Sequence, residues 1–234
     1  MEQKNQKFFK SRPFKCSYIN SKKEQRLFVK LDENKSLVFD KLMQNGFRRN
    51  FNHMYIPICQ NCSSCISSRI NVNDFVPSKS QKRNLKKNQS LEFVESRLEF
   101  KENRYELFKK YTKFKHGDGE MKDMNRNEFN SFFYESPVKS SVYDLLDNEK
   151  IIGSIIFDRM SNGLSAVYSL YDPDYIKCGL GNYLILCSIN KTKELNLNYL
   201  YLGYWIKESQ KMNYKSNFNA LEIFCKGKWI TKVD

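Results

Sequence analysis

The sequence predicts an α+β protein: a mixed sheet flanked by helices, with a smaller α/β domain at the N-terminus. Three observations carry that expectation. In the second half, alternating segments rich in β-branched and aromatic residues are separated by "NEK" and "SNG" turns, the pattern of an antiparallel meander. Stretches with helical apolar spacing stand on both sides of it. Ahead of these, shorter segments of mixed type surround the cysteine-rich stretch "CQNCSSC" at residues 59–65.

The elements follow in order. Residues 1–14 read as a basic lead. A helix begins at Ser36, carries Phe39 and Leu42 on one face and ends at Gly46. "FRRNFNHMYIPI" alternates as a strand that runs into the cysteines, and "SSRINVNDFVP" continues extended. "PSKSQKRNLKKN" is a short basic helix capped by Ser78 or Ser80, and "SLEFVESRLEF" a strand. That closes an N-terminal domain expected over residues 15–98, before a C-terminal domain over 99–234. The latter opens with an amphipathic helix bearing Tyr105, Phe108, Tyr111 and Phe114, then a second helix in "NEFNSFFYES". Three meander strands come next, then a helix opened by Gly179 and Gly181. "YLYLGYW" as a buried strand, a short helix in "SQKMNYKSNF" and a last strand in "LEIFCKGKW" complete the chain.

That order resembles the acetyltransferase-like, GNAT-type fold of N-acyl transfer, in which a glycine turn aims backbone N–H groups at a phosphate. "KCGLG" is a short version of that turn, and a glycine that simply starts a helix is the plain alternative. The balance of 40 Lys and Arg against 26 Asp and Glu, a formal +14, favours a polyanionic partner, nucleic acid before a membrane surface. No apolar run approaches the roughly 18 residues of a membrane span, and the N-terminus has no apolar signal core. Seven cysteines, an odd number, suit reduced thiols in a cytoplasmic protein. Three of them, Cys59, Cys62 and Cys65, are one short of a closed tetrahedral metal site.

Four strings go beyond fold. "GFRRNFNHMYIPICQNCSSCISSRINVNDFVPSKSQKRNLKKN", "HGDGEM", "LSAVYSLYDP" and "YLYLGYWIKESQKMNYKSNF" resemble, in order and spacing, the bacterial aspartate/glutamate leucyltransferases. The likeness runs from about Cys16 to Trp229. These are N-end-rule aminoacyl-tRNA–protein transferases, related to the eukaryotic arginyltransferases. The resemblance implies transfer of leucine from leucyl-tRNA to the N-terminal amine of proteins beginning with Asp or Glu, which marks them for degradation. Arginyl-tRNA is the nearest alternative donor; a CoA-dependent N-acetyltransferase and a non-catalytic RNA-binding module are more distant readings. The sequence departs from the family pattern at Gly117, where Arg is usual, and at Asn219–Ala220, where a Pro is usual.

The donor ester is already activated, so the transfer requires neither ATP nor another cofactor. Arg suits an acceptor carboxylate best, and Arg48, Arg49, Lys79 and Arg83 lie in the matching strings. Tyr168, Asp172 and Asp118 are candidates for holding or deprotonating the amine. Tyr204, Lys211, Tyr214 and Lys215, around a strand-to-helix corner, are candidates for the aminoacyl end of tRNA. His53 and His116 read as surface or capping residues. The related arginyltransferases carry an iron–sulfur cluster on N-terminal cysteines. The resemblance therefore implies such a cluster, or zinc, on Cys16, Cys59, Cys62 and Cys65, with metal-free packed thiols as the plain alternative.

Overall fold

A computed structural model describes residues 7–31, 36–115 and 120–232 of the chain. Four strands come first: β1 (Phe9–Lys10), β2 (Phe14–Lys15), β3 (Lys23–Glu24) and β4 (Arg26–Lys30). Helix α1 (Ser36–Gln44) buries Phe39 and Met43. The segment expected as one strand after Gly46 is two, β5 (Arg48–Asn50) and β6 (His53–Pro57). Phe51, at φ 50°, reverses the chain between them, so the alternation read in the sequence belongs to a hairpin.

Strands β1, β4, β6 and β5 form an antiparallel sheet in that order. Residues paired across strands share a face, and the next residue along points the other way. Val29, Met54 and Arg49 therefore share one face, where Val29 and Met54 join a buried cluster with Phe39, Met43, Met160 and Tyr201. Phe28, Tyr55 and Arg48 share the other.

The larger sheet draws on the rest of the chain. In order come β7 (Ile66–Asn71), α2 (Lys79–Lys87), β8 (Glu92–Ser96), α3 (Glu102–Lys115) and α4 (Arg126–Phe133). The meander follows as β9 (Ser140–Asp147), β10 (Lys150–Arg159) and β11 (Gly163–Tyr171). Then come α5 (Leu180–Glu194), β12 (Tyr199–Trp205), β13 (Leu221–Cys225) and β14 (Lys228–Thr231). The sheet order is β14-β13-β7-β12-β11-β10-β9-β8, and β11–β12 is its parallel pair. Both β7 and β8 precede residue 98, so the large sheet takes strands from either side of the expected boundary.

Helices cover both faces of this sheet. Phe108, Phe129 and Phe133 from α3 and α4 pack with Val142, Ile156 and Leu170. Leu184 and Ile189 from α5 pack with Ile155, Phe157 and Leu200 on the opposite side. Burial of β10 on both faces accounts for the apolar residues on either side of Gly153 and Ser154. Ser78 caps α2 through a full capping box with Gln81. Two late elements differ from expectation. The short helix after β12 is a 3₁₀ turn at Asn213–Asn217, and the last strand is a β13–β14 hairpin turning at Lys226 and Gly227, both with positive φ.

Candidate active site

The large sheet divides at one place. β11 and β12 pair in parallel only from Gly163↔Tyr199 to Ser165↔Tyr201. Beyond that β12 bulges and continues along β7, while β11 stays on β10. Backbone groups facing the gap need other partners. Arg48 reaches in from the small sheet and its Nη2 donates to the Ala166 carbonyl at 3.0 Å. The guanidinium lies against Gly203, 2.7–2.9 Å from where a Cβ would stand, and Gly203 has φ +79°. Glycine suits that backbone angle, and a Cβ there would push the guanidinium aside.

Lys215 enters the same gap from the 3₁₀ turn after β12. It is 3% exposed; its Nζ donates to the Tyr204 carbonyl and lies 3.9 Å from Met212 Sδ. Burial first, and then the neighbouring Arg48, hold its amine well below the usual lysine range. Among the described residues no carboxylate lies within ion-pair distance of Arg48 or Lys215. Arg48 Nη1, the Tyr168 hydroxyl and Trp205 Nε1 are buried without hydrogen-bond partners. A buried cation with no counter-ion is costly to keep. Such a place marks a candidate site for an incoming anion.

Tyrosines line the surroundings. The Tyr204 hydroxyl donates to the Tyr55 carbonyl at 3.1 Å, and the two rings meet edge-on at 6.0 Å. Tyr214, 36% exposed, lies with its ring 5.9 Å from Lys215 Nζ. Tyr168 is held edge-on by Phe132 and Phe133 and touches Phe108. Burial pushes its phenol upward, so it stays an O–H donor.

Other expected site residues stand apart from this gap. Arg49 points to the opposite face of β5, where Nε and Nη2 form a fork on Asp158 at 2.5 and 2.9 Å. Ser140 Oγ also donates to Asp158, at 2.7 Å. Lys79 and Arg83 are exposed on α2, and Lys211 is exposed before the 3₁₀ turn. Asp172 is buried, but its carboxylate caps the 3₁₀ turn Pro173–Cys178 by accepting from Asp174 N–H at 3.0 Å. It also pairs with Lys110 at 2.5 Å and Lys150 at 3.6 Å. Burial raises its pKa, and Lys110, the Asp174 N–H and Lys150 together outweigh that, leaving it below the usual carboxylate range. Asp118 and His116 lie outside the described residues.

The glycine-opened helix is tied to α2 just before its first turn. Gly179, in the left-handed region, starts α5, and the Asn84 and Asn88 side chains of α2 both donate to the Cys178 carbonyl at 2.9 Å.

The four N-terminal cysteines converge. Cys16 accepts from Tyr18 N–H at 3.4 Å, and Cys59 from Gln25 N–H at 3.5 Å. The Cys65 thiol is pushed up to about 12 by burial, then by Glu24 and the Cys16, Cys59 and Cys62 thiols. Thiolate donors suit zinc or an iron–sulfur cluster. Among the described residues no group of three or more stands in ligand geometry.

Tyr55 was not singled out from the sequence, although it touches both Tyr204 and the Arg48 face of the small sheet. The alternation of "NHMY" with "RRN" across a hairpin was the available signal.

The division of the mixed sheet, where Arg48 and Lys215 lack a carboxylate partner among the described residues, is a candidate cleft for an anionic substrate. Residues 14–83 and 103–225 match the family described as arginine-tRNA-protein transferase, through its N-terminal and C-terminal parts respectively. The chain therefore belongs to the arginine-tRNA-protein transferase family and is an aminoacyltransferase. Its full-length relatives are aspartate/glutamate leucyltransferases. That of Pseudomonas savastanoi pv. phaseolicola is 37% identical over 226 residues, covering 96% of each chain. That of Dinoroseobacter shibae is 38% identical over 95% of this chain and 82% of its own. Among solved structures, L-PGS from Bacillus licheniformis superposes with a TM-score of 0.43 at 12% identity, over 76% of this chain and 52% of that one. No helix among the described residues is long and apolar enough to cross a membrane.

Proposed function

We propose that this chain moves leucine from the 3′ ester of leucyl-tRNA to the N-terminal amine of proteins beginning with Asp or Glu. The product is an N-end-rule degradation signal, and the setting is the cytoplasm. The observation that carries this reading is the unpartnered, buried Nη1 of Arg48 beside Lys215. An N-terminal Asp or Glu brings a carboxylate close to its own α-amine. Arg48 takes that carboxylate, and the amine then falls near Lys215.

The acceptor arrives largely as an ammonium, since an α-amine has a pKa near about 8. Lys215, whose amine is held well below the usual lysine range by burial and then by Arg48, accepts one of its protons. The freed lone pair attacks the ester carbonyl. Tyr168, a protonated donor, supports the oxyanion that forms. The carbon–oxygen bond to the ribose then breaks, and a second proton passes from the attacking nitrogen to the ribose oxygen. The products are an amide, a free tRNA hydroxyl and one proton left on Lys215.

Tyr204 and Tyr214 border the terminal adenosine in this reading, and Lys211, Lys79 and Arg83 serve phosphates from exposed positions. The parallel β11–β12 pair that diverges beside α5 supports the GNAT-type reading of the fold. No step runs through the cysteines. Iron, sulfide and zinc analysis of anaerobically purified protein, beside Cys62→Ser, tests that ligand set separately.

The deciding experiment gives the purified protein labelled leucyl-tRNA or arginyl-tRNA, with peptides that begin with Asp, Glu or Ala. Leucine on the two acidic peptides and not on the third is the expected result. Absence of any transfer from leucyl-tRNA overturns the proposal.

A further inference from the structure

The outward face of the small sheet enters the transfer step above only through Arg48, at one edge. Its register nonetheless sets Phe9, Phe28, Tyr55 and Arg48 side by side, one from each strand, in a row from edge to edge. A second row sets Lys30 beside His53 and Asn50. The rings touch: Phe9 stacks on Phe28 at 5.8 Å, and Phe28 meets His53 edge-on at 5.7 Å. The Arg26 guanidinium lies over the Tyr55 ring at 4.5 Å and the Phe14 ring at 5.1 Å. A pocket of about 220 Å³ opens among Arg26, Phe28, Asn50, Phe51, His53 and Tyr55. Phe9, at 49% exposure, and Phe14 and Phe51 are left in solvent around it.

Charge decides between occupants. Residues 7–31 carry eight Lys and Arg and one acid, Glu24, which is buried against Arg26 at 2.5 Å. An acidic peptide would be served by the cations alone, with no use for a row of flat rings. Single-stranded nucleic acid uses both, bases on rings and phosphates on cations. The row also ends at the transfer cleft, because Arg48 is its last member and Tyr55 packs on Tyr204.

We propose that this face seats the unpaired 3′-terminal nucleotides of the donor tRNA and leads the aminoacyl ester along the row to Arg48. The proposal rests on the tRNA-dependent reading above and names the surface that reading leaves open.

The test compares binding of uncharged tRNA, intact or stripped of its unpaired 3′ nucleotides, at one fixed salt concentration. The unmodified protein is expected to favour intact tRNA by about tenfold or more. Phe9→Ala/Phe28→Ala should bind both tRNAs as weakly as the unmodified protein binds the stripped one. Phe28→Trp should keep the preference. Should the double variant fail to fold, Phe9→Ala alone, at an exposed ring, should lose part of the preference. The proposal is overturned if the unmodified protein does not distinguish the two tRNAs, or if the folded variants retain full preference. It is equally overturned if binding of both tRNAs falls by the same factor. A raised KM for the Asp peptide with the tRNA preference intact would assign the face to the acceptor protein instead. Uncharged tRNA carries no amino acid, so failure of leucine as donor would appear only in the transfer assay.

Discussion

Arg48 and Arg49 leave β5 on opposite faces and meet opposite surroundings. Arg49 finds Asp158, a bidentate fork with Ser140 completing the carboxylate's partners. Arg48 finds a backbone carbonyl, a glycine and the buried amine of Lys215. The first arrangement is closed, since every charge has its counter-charge and the pair ties the small sheet to β10. Arg104 and Asp144 repeat that logic between α3 and β9, with bonds of 3.0 and 2.6 Å. The second arrangement is open, and in the proposed function it takes a carboxylate from outside. Arg49 and Arg104 are buried with a counter-ion, whereas Arg48 is half-buried without one among the described residues.

The largest effect expected from this contrast is on stability. Asp158→Ala strands Arg49 without its partner, and breaking a buried pair this way costs about 3–5 kcal/mol. In a chain of this size that lowers Tm by roughly 10 °C, measurable by thermal denaturation. Unchanged Tm would mean that the closed pair contributes nothing. Arg48→Met should behave in the opposite way, with Tm held or raised because an unpaired buried charge is gone. Its kcat/KM on Asp and Glu peptides should fall by about a hundredfold, in line with loss of a buried charge partner. Preference over an Ala peptide should vanish with it. A variant that lost activity only by losing Tm would place Arg48 in the structural class.

Lys215→Met tests the other half of the open site. A general base typically contributes about a hundredfold or more, and kcat should fall accordingly while the acidic limb of its pH profile disappears. The stability effect has a definite sign. The folded-state pKa of Lys215 lies below its unfolded value, so the unfolded chain binds more protons between the two. Stability therefore rises with pH from the folded pKa toward the ordinary lysine value. The Tm advantage of Lys215→Met should be greatest at low pH and shrink as pH rises. An advantage independent of pH would contradict a depressed amine.

Much of the fold was legible because its signals are local. The "NEK" and "SNG" turns, a serine cap at Ser78 or Ser80 and the apolar spacing of α3 each specify their element within a few residues. Misread pieces depended on contacts across the chain. A hairpin at Phe51 looks like one strand until β4 pairs with β6. The central position of β7 is set by β12 and β13, more than a hundred residues later. Site residues divide in the same manner. "FRRN" shows two adjacent arginines, but which one is closed depends on Asp158, whose place the sequence does not reveal. Lys215 is legible as a candidate for the aminoacyl end at the strand-to-helix corner, but not as a buried amine, because its burial comes from the way the 3₁₀ turn folds under β12.

The smallest effect, and the sharpest for sorting acids, belongs to Asp172. It was a catalytic candidate because it ends a core strand, yet its oxygens already serve the Asp174 N–H, Lys110 and Lys150. Both lysines are substantially exposed, so solvent screens much of their attraction. What remains is mainly a cap, which is worth about 1 kcal/mol. Asp172→Asn keeps an oxygen for that cap and removes the charge. Transfer should stay within about twofold of the unmodified protein, far from the hundredfold loss of a missing base. The stability lost should be present at neutral pH and fade in acid, because a carboxylate with a lowered pKa stabilises the fold only above that pKa. A large fall in kcat without any change in Tm would move Asp172 from the closed class to the open one, and with it the base assigned to Lys215.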